Sequence, residues 1–173
     1  MKLAITDACI FIDLFELQLT AQFFELDIEI HTSLDVFNEL YEDQKQLLSA
    51  FRSVKKLTIH IIEEKDRMSI YQTAYPRALS DMDKTVLFLA AKFDAIVLSS
   101  DKAVRNYAKN KAIEYHGMLW IFDKLVELGR IEPNEASLKL NVLINRNTIY
   151  QNNAELVKEM GKRLKLWGNM GKS

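Results

Sequence analysis

The chain reads as an α/β protein whose parallel sheet is covered on both faces by helices. Short apolar strand-like segments alternate with helix-period segments through residues 1–130, and beyond residue 131 the strand pattern stops. Acids mark the junctions: Asp7, Glu39, Asp83 and Asp101 each fall where a strand-like segment ends or a helix-like one begins.

Residues 2–6 form a first buried strand, ended by Asp7. Ile10 to Phe15 is an apolar helical turn, residues 20–26 a short helix, and 28–31 a second strand. Residues 34–53 carry helical spacing in Val36, Leu40, Leu47, Leu48 and Phe51. The β-branched run Leu57-Thr58-Ile59-His60-Ile61-Ile62 is strand-like, and a polar helix covers 63–74. Ser80 caps a helix whose apolar positions are Val86, Leu87, Leu89, Ala90 and Phe93. Residues 95–98 are a short, fully apolar strand, and 101–111 a helix with Val104, Tyr107 and Ala108 inward. Ile113-Glu114-Tyr115 is the last strand, Gly117 a turn, and 118–128 a helix stopped by Gly129.

Pro133 suits the first turn of a further helix with Ala136, Leu140, Leu143 and Ile144 on one face. A final helix aligns Leu156, Met160, Leu164 and Trp167, with Glu159 one turn before Arg163. The organisation expected is an α/β core over 1–130 and a C-terminal helical extension over 131–173 packed on it.

With 173 residues, 49% of them hydrophobic and 27% charged, the chain has the composition of one soluble globular domain with a real core. No apolar run is long enough to span a membrane, and the N-terminus does not read as a signal peptide. The single cysteine, Cys9, supports no internal disulfide, so a reducing cytoplasm is expected. A net charge of −1 argues against tight, non-specific nucleic-acid binding while leaving room for a local basic surface.

In an open parallel sheet the carboxyl ends of the strands share one edge, where ligands bind. Four carboxylates gathered there repel one another unless a hard cation sits among them. Magnesium and manganese take oxygen ligands, and metal-assisted phosphodiester cleavage needs carboxylates and no obligatory histidine. His31, His60 and His116 form no ligand pattern and read as structural. Taken singly, the acids also have local explanations: Asp7 and Asp101 as helix caps, Asp83 as a first-turn residue, Glu39 as a solvated helix residue.

Other chemistries have less support. No Gly-rich loop follows the first strand, which excludes a P-loop and a dinucleotide fingerprint. Cys9 lacks a histidine partner and reads as a structural thiol. A phosphoacceptor role for Asp7 stays open, although Cys9 stands where a second Asp is usual.

The chain resembles the PIN-domain nucleases. The resemblance rests on Asp7 after the first strand, Val36-Phe37-Asn38-Glu39-Leu40 after the second, Leu79-Ser80-Asp81-Met82-Asp83 with Leu87, Leu89 and Ala90, and Val97-Leu98-Ser99-Ser100-Asp101 with Arg105. His116-Gly117-Met118-Leu119-Trp120 is similar to the segment opening the family's last core helix. The resemblance implies a three-layer α/β/α fold and a Mg2+- or Mn2+-dependent ribonuclease. Asp7, Glu39, Asp83 and Asp101 match the family's catalytic, metal-binding quartet, with Asp81 an alternative third acid. Ser99 matches a hydroxyl residue supporting the last acid. Lys84, Lys102, Arg105 and Lys109 lie near the acids in sequence and are candidate phosphate contacts.

Many small members are toxins similar to the VapC group, so RNA, an antitoxin protein and a second copy forming a homodimer are the candidate partners. Ala8 and Cys9 depart from the family's usual Thr or Ser and Asn after the first acid. That departure keeps a second reading: a non-catalytic PIN-like module that binds RNA or protein.

Overall fold

Five short strands, β1 (Lys2–Thr6), β2 (Ile28–Ser33), β3 (Leu57–His60), β4 (Ile96–Leu98) and β5 (Tyr115–His116), make one sheet in the computed structural model, which describes residues 1–172. The order is β3-β2-β1-β4-β5 and every pairing is parallel. Parallel strands need long crossovers, and helices supply them. They are α1 (Ala8–Glu16), α2 (Thr20–Phe23), α3 (Leu34–Glu39), α4 (Glu42–Ser53), α5 (Glu64–Gln72), α6 (Asp81–Phe93), α7 (Lys102–Asn110) and α8 (Met118–Glu127). The result is the three-layer α/β/α arrangement. Where β1 and β4 pair, the run is apolar without alternation, as burial on two faces requires: Ala4, Ile5, Val97 and Leu98 are fully buried.

The chain then adds α9 (Pro133–Arg146), α10 (Thr148–Asn152) and α11 (Ala154–Met170). Their apolar faces join the same hydrophobic cluster as the sheet, through Ala136, Leu140, Leu143, Tyr150, Met160 and Trp167. The Trp167 ring lies 6.0 Å from that of Phe122 on α8. Arg163 grips Asp123 of α8 with two hydrogen bonds of 2.9 and 2.8 Å, and also meets Glu159 at 3.3 Å. No helix among the described residues is long and apolar enough to cross a membrane.

Several boundaries differ from those expected. Helical spacing over 34–53 belongs to two helices, because the chain turns extended at Leu40 (ψ 157°) to bury that side chain. Gln44 then accepts the Tyr41 N–H and starts α4. The last strand is Tyr115–His116 rather than 113–115. Ile113 donates its N–H to Ala108 in the turn closing α7, after Ala112 with φ 56°, so it is not available to the ladder. The short helix α10 has no periodic signature long enough to read. Gly129 ends α8 as expected, with φ +62°.

The buried indole of Trp167 gives the first test. Trp167→Ala is expected to lower unfolding free energy by about 3–5 kcal/mol. Urea denaturation followed by circular dichroism measures it. A loss below about 1 kcal/mol would mean that α11 is not integrated with the core.

Candidate active site

The strand order places the site. From β1 the chain moves outward to β2 and β3, then returns to β4 on the other side of β1. Connections therefore diverge between β1 and β4, and a crevice opens beyond their carboxyl ends. Asp7 follows β1 and Asp101 follows β4 after two serines. The Asp7 N–H donates to Leu98 O at 3.1 Å, which holds the two strand ends together.

Asp7 is buried, at 4% exposure. It caps α1, its Oδ1 accepting the Ile10 N–H at 3.1 Å and the Cys9 thiol at 2.9 Å. Burial pushes its pKa up to about 6, against the pull of hydrogen bonds from Cys9, Ser99 and Ile10, and the Asp83 carboxylate raises it further. No ion pair among the described residues includes Asp7, Asp83 or Asp101. A buried carboxylate with an acid beside it and no basic partner is a poor choice for stability.

Around Asp101 the two serines do the positioning. The fully buried Ser99 hydroxyl accepts the Asp101 N–H at 3.0 Å and also lies near enough to Asp7 to favour its ionised form, so one side chain serves both acids. The Ser100 N–H donates to Cys9 Sγ at 3.3 Å. Asp101 is exposed and caps α7, its Oδ1 accepting the Val104 N–H at 3.1 Å. The Cys9 thiol, pushed well up first by burial and then by Asp7, stays protonated and serves as a hydrogen-bonding group rather than a nucleophile.

Asp83 belongs to a capping box at the start of α6. Its Oδ2 accepts the Ser80 N–H at 2.8 Å and Ser80 Oγ accepts the Asp83 N–H at 3.1 Å. Two residues on, Thr85 Oγ1 meets Ser33 Oγ at 2.7 Å, tying α6 to the cap of α3. Asp81 points away, 86% exposed beside Lys84 at 3.6 Å.

The other sequence candidates are spread more widely. Glu39 is exposed at the last residue of α3. Arg105 folds over the Tyr115 ring, 5.3 Å from its centroid, and a Cβ on Gly117 would stand 3.2 Å from its guanidinium. Lys102 is exposed in the first turn of α7, whereas Lys109 lies in its last turn, away from the acids. His31 and His60 meet across β2 and β3 at 2.8 Å, and His116 stacks on Trp120 and meets Glu114 at 2.8 Å, so the contacts of all three histidine rings are with residues outside the acidic quartet.

Sequence reasoning passed over Asp13 and Tyr150. Asp13 lies in α1 at 7% exposure, and its Oδ2 has no partner. Burial pushes its pKa up to about 7, Glu16 and Asp7 add to this, and the Asn147 and Tyr150 side chains draw it back. The available signal was an acid inside the apolar run Ile10-Phe11-Ile12-Asp13-Leu14-Phe15.

Among the described residues no three of His, Cys, Asp and Glu converge as a ready-made metal cage. The donor chemistry nonetheless fits magnesium or manganese. Such ions are held by one or two carboxylates, with waters and substrate phosphate completing the shell. Asp7 and Asp83, whose charges interact, could supply that pair, with Asp101 held nearby through Ser99.

Both buried acids bind protons in the folded state that the unfolded chain has released. Each contributes stability that is full below about pH 4 and lost as pH rises through about 6 for Asp7 and about 7 for Asp13. Each effect is on the order of 3 kcal/mol. Asp13→Asn is therefore expected to gain stability relative to wild type between pH 5 and pH 8 in metal-free buffer. Urea unfolding at both values measures this, and an unchanged difference would contradict the burial of this carboxyl.

A family model described as PIN domain matches residues 3–165, through the C-terminal helices as well as the sheet. No curated protein matches the chain. Among solved structures, the chain is similar to a PilT N-terminus domain protein from the hyperthermophilic archaeon Sulfolobus solfataricus P2. The identity is 11% and the TM-score 0.47, covering 69% of this chain and 89% of that one. With the family match spanning nearly its whole length, the chain belongs to the PIN-domain family, whose members are generally nucleases that use divalent metals.

Proposed function

We propose that the protein is a Mg2+- or Mn2+-dependent endoribonuclease acting at the edge beyond β1 and β4. The observation that carries this reading is Asp7: a buried carboxylate at the topological switch point, within electrostatic reach of Asp83 and lacking any ion-pair partner among the described residues. Asp7 and Asp83 would hold the cation, with Asp101 and Glu39 reaching it through waters or on substrate binding. When bound, the cation supplies Lewis acidity toward the phosphate and a lowered pKa for its water.

The chain's own residues do the rest. Ile10 N–H, Cys9 and Ser99 fix the Asp7 carboxylate and favour its ionised form. Ser99 also holds the Asp101 backbone. Lys84, Lys102 and Arg105 are the candidates for orienting RNA phosphates, with Lys109 farther along α7. An antitoxin and a second copy are the partners this reading suggests, in a cytoplasmic setting.

The alternative is a non-catalytic module that binds RNA or protein. One observation favours it: the Cys9 thiol occupies the same Asp7 oxygen that caps α1, and Ala8 contributes no polar group. Calorimetric titration of Mn2+ with RNA cleavage assayed alongside separates the two. Asp7→Asn is expected to abolish cleavage and leave the melting temperature of the metal-free protein equal or higher. Cleavage surviving in Asp7→Asn would remove the nuclease assignment from this edge.

Cation binding should also stabilise the folded chain, by roughly 2.7 kcal/mol at a hundredfold excess over Kd. Melting temperature should rise with Mn2+ in the wild type and stay flat in the Asp7→Asn, Asp83→Asn double variant. An equal rise in both would place the metal elsewhere.

A further inference from the structure

The short helix α10 buries one side chain, Tyr150, at 2% exposure. Packing alone does not explain the residue, since phenylalanine would fill the same space without burying a hydroxyl. That hydroxyl lies 2.9 Å from Ser100 Oγ. Ser100 is the middle residue of the turn from β4 to α7, between the Ser99 that serves both acids and Asp101 itself. The turn is thus gripped from two sides, by Cys9 Sγ at the Ser100 N–H and by Tyr150 at the Ser100 hydroxyl.

What aims Tyr150 is also on hand. Asn147 joins α9 to α10 and caps the latter, its Oδ1 accepting the Ile149 N–H at 3.1 Å. Its side chain and the Tyr150 hydroxyl both reach the buried Asp13 carboxyl of α1. Arg146 adds a contact to Glu16 at 3.8 Å on the same helix. The segment that enters α10 is therefore pinned to α1, the helix that Asp7 caps.

We propose that Tyr150 is a positioning residue for the acidic edge: through Ser100 it fixes the turn that carries Asp101, so the C-terminal helices complete the site. The catalytic consequence rests on the nuclease reading above; the effect on the turn does not. A phenylalanine at this position keeps the packing and releases the turn.

Cys9 reports on the turn independently of activity, because it is the protein's one thiol and the Ser100 N–H is bonded to it. In metal-free buffer Tyr150→Phe is expected to speed reaction of Cys9 with Ellman's reagent about fivefold, the effect of losing one hydrogen bond on local opening. Ser100→Ala should do the same, and the double variant should add little more. Leu143→Ala, a cavity in α9, should lower the melting temperature and leave the labelling rate of folded protein near wild type. In the presence of metal, Tyr150→Phe should weaken Mn2+ binding and lower kcat on RNA more than it raises KM.

Unchanged labelling in both Tyr150→Phe and Ser100→Ala overturns the proposal. So does equal acceleration by Leu143→Ala, which would reduce Tyr150 to a packing residue. If labelling accelerates as expected while wild type neither binds Mn2+ nor cleaves RNA, the positioning of the turn stands and the nuclease reading falls.

Discussion

The buried carboxylate of Asp7 is the constraint on which the acidic edge depends. It lies where β1 ends, at the divergence of the connections, and its own N–H bridges to β4. Once it is there, it needs donors, and the fold provides three from two segments: the Ile10 N–H, the Cys9 thiol and the Ser99 hydroxyl. Ser99 in turn fixes Asp101. The arrangement compensates Asp7 only in part, because desolvation still leads and Asp83 adds to it. On the proposed reading, a cation is the partner such a group would take.

Helix capping and site building use the same side chains. Asp7 caps α1, Asp83 closes the capping box of α6, and Asp101 caps α7. In a parallel sheet, helices begin where strands end, so the N-terminal caps collect at the edge where ligands bind. Each carboxyl thereby lies at the positive end of a helix dipole. Local stability and a shared acidic edge are therefore one solution, which is why each acid had a satisfactory local explanation when read alone.

The C-terminal helices serve more than burial. Trp167 and the Arg163–Asp123 pair fasten α11 to α8, while α9 and α10 run back to α1 and the β4–α7 turn. A hydroxyl from residue 150 thereby meets a turn set by residues 99–101. The family match running to residue 165 accords with treating these helices as part of the fold.

Much of this protein was determined by the sequence itself. Apolar runs at Ala4–Ile5 and Val97–Leu98, helix starts at Ser80 and Pro133, and the stop at Gly129 follow from short-range stereochemistry and burial, so the parallel α/β class is legible without coordinates. The junction acids are legible for the same reason. What tertiary structure alone decided is which groups share an environment. The burial of Leu40, Asp13 and Tyr150 reflects contacts between segments far apart in the chain, and the engagement of Ile113 in the turn closing α7 depends on a left-handed Ala112 that no periodicity signals. Periodicity reports the face a residue presents. It does not report the residue opposite, and it is the residue opposite that holds Asp7 by Ser99 and places Ser100 against Tyr150.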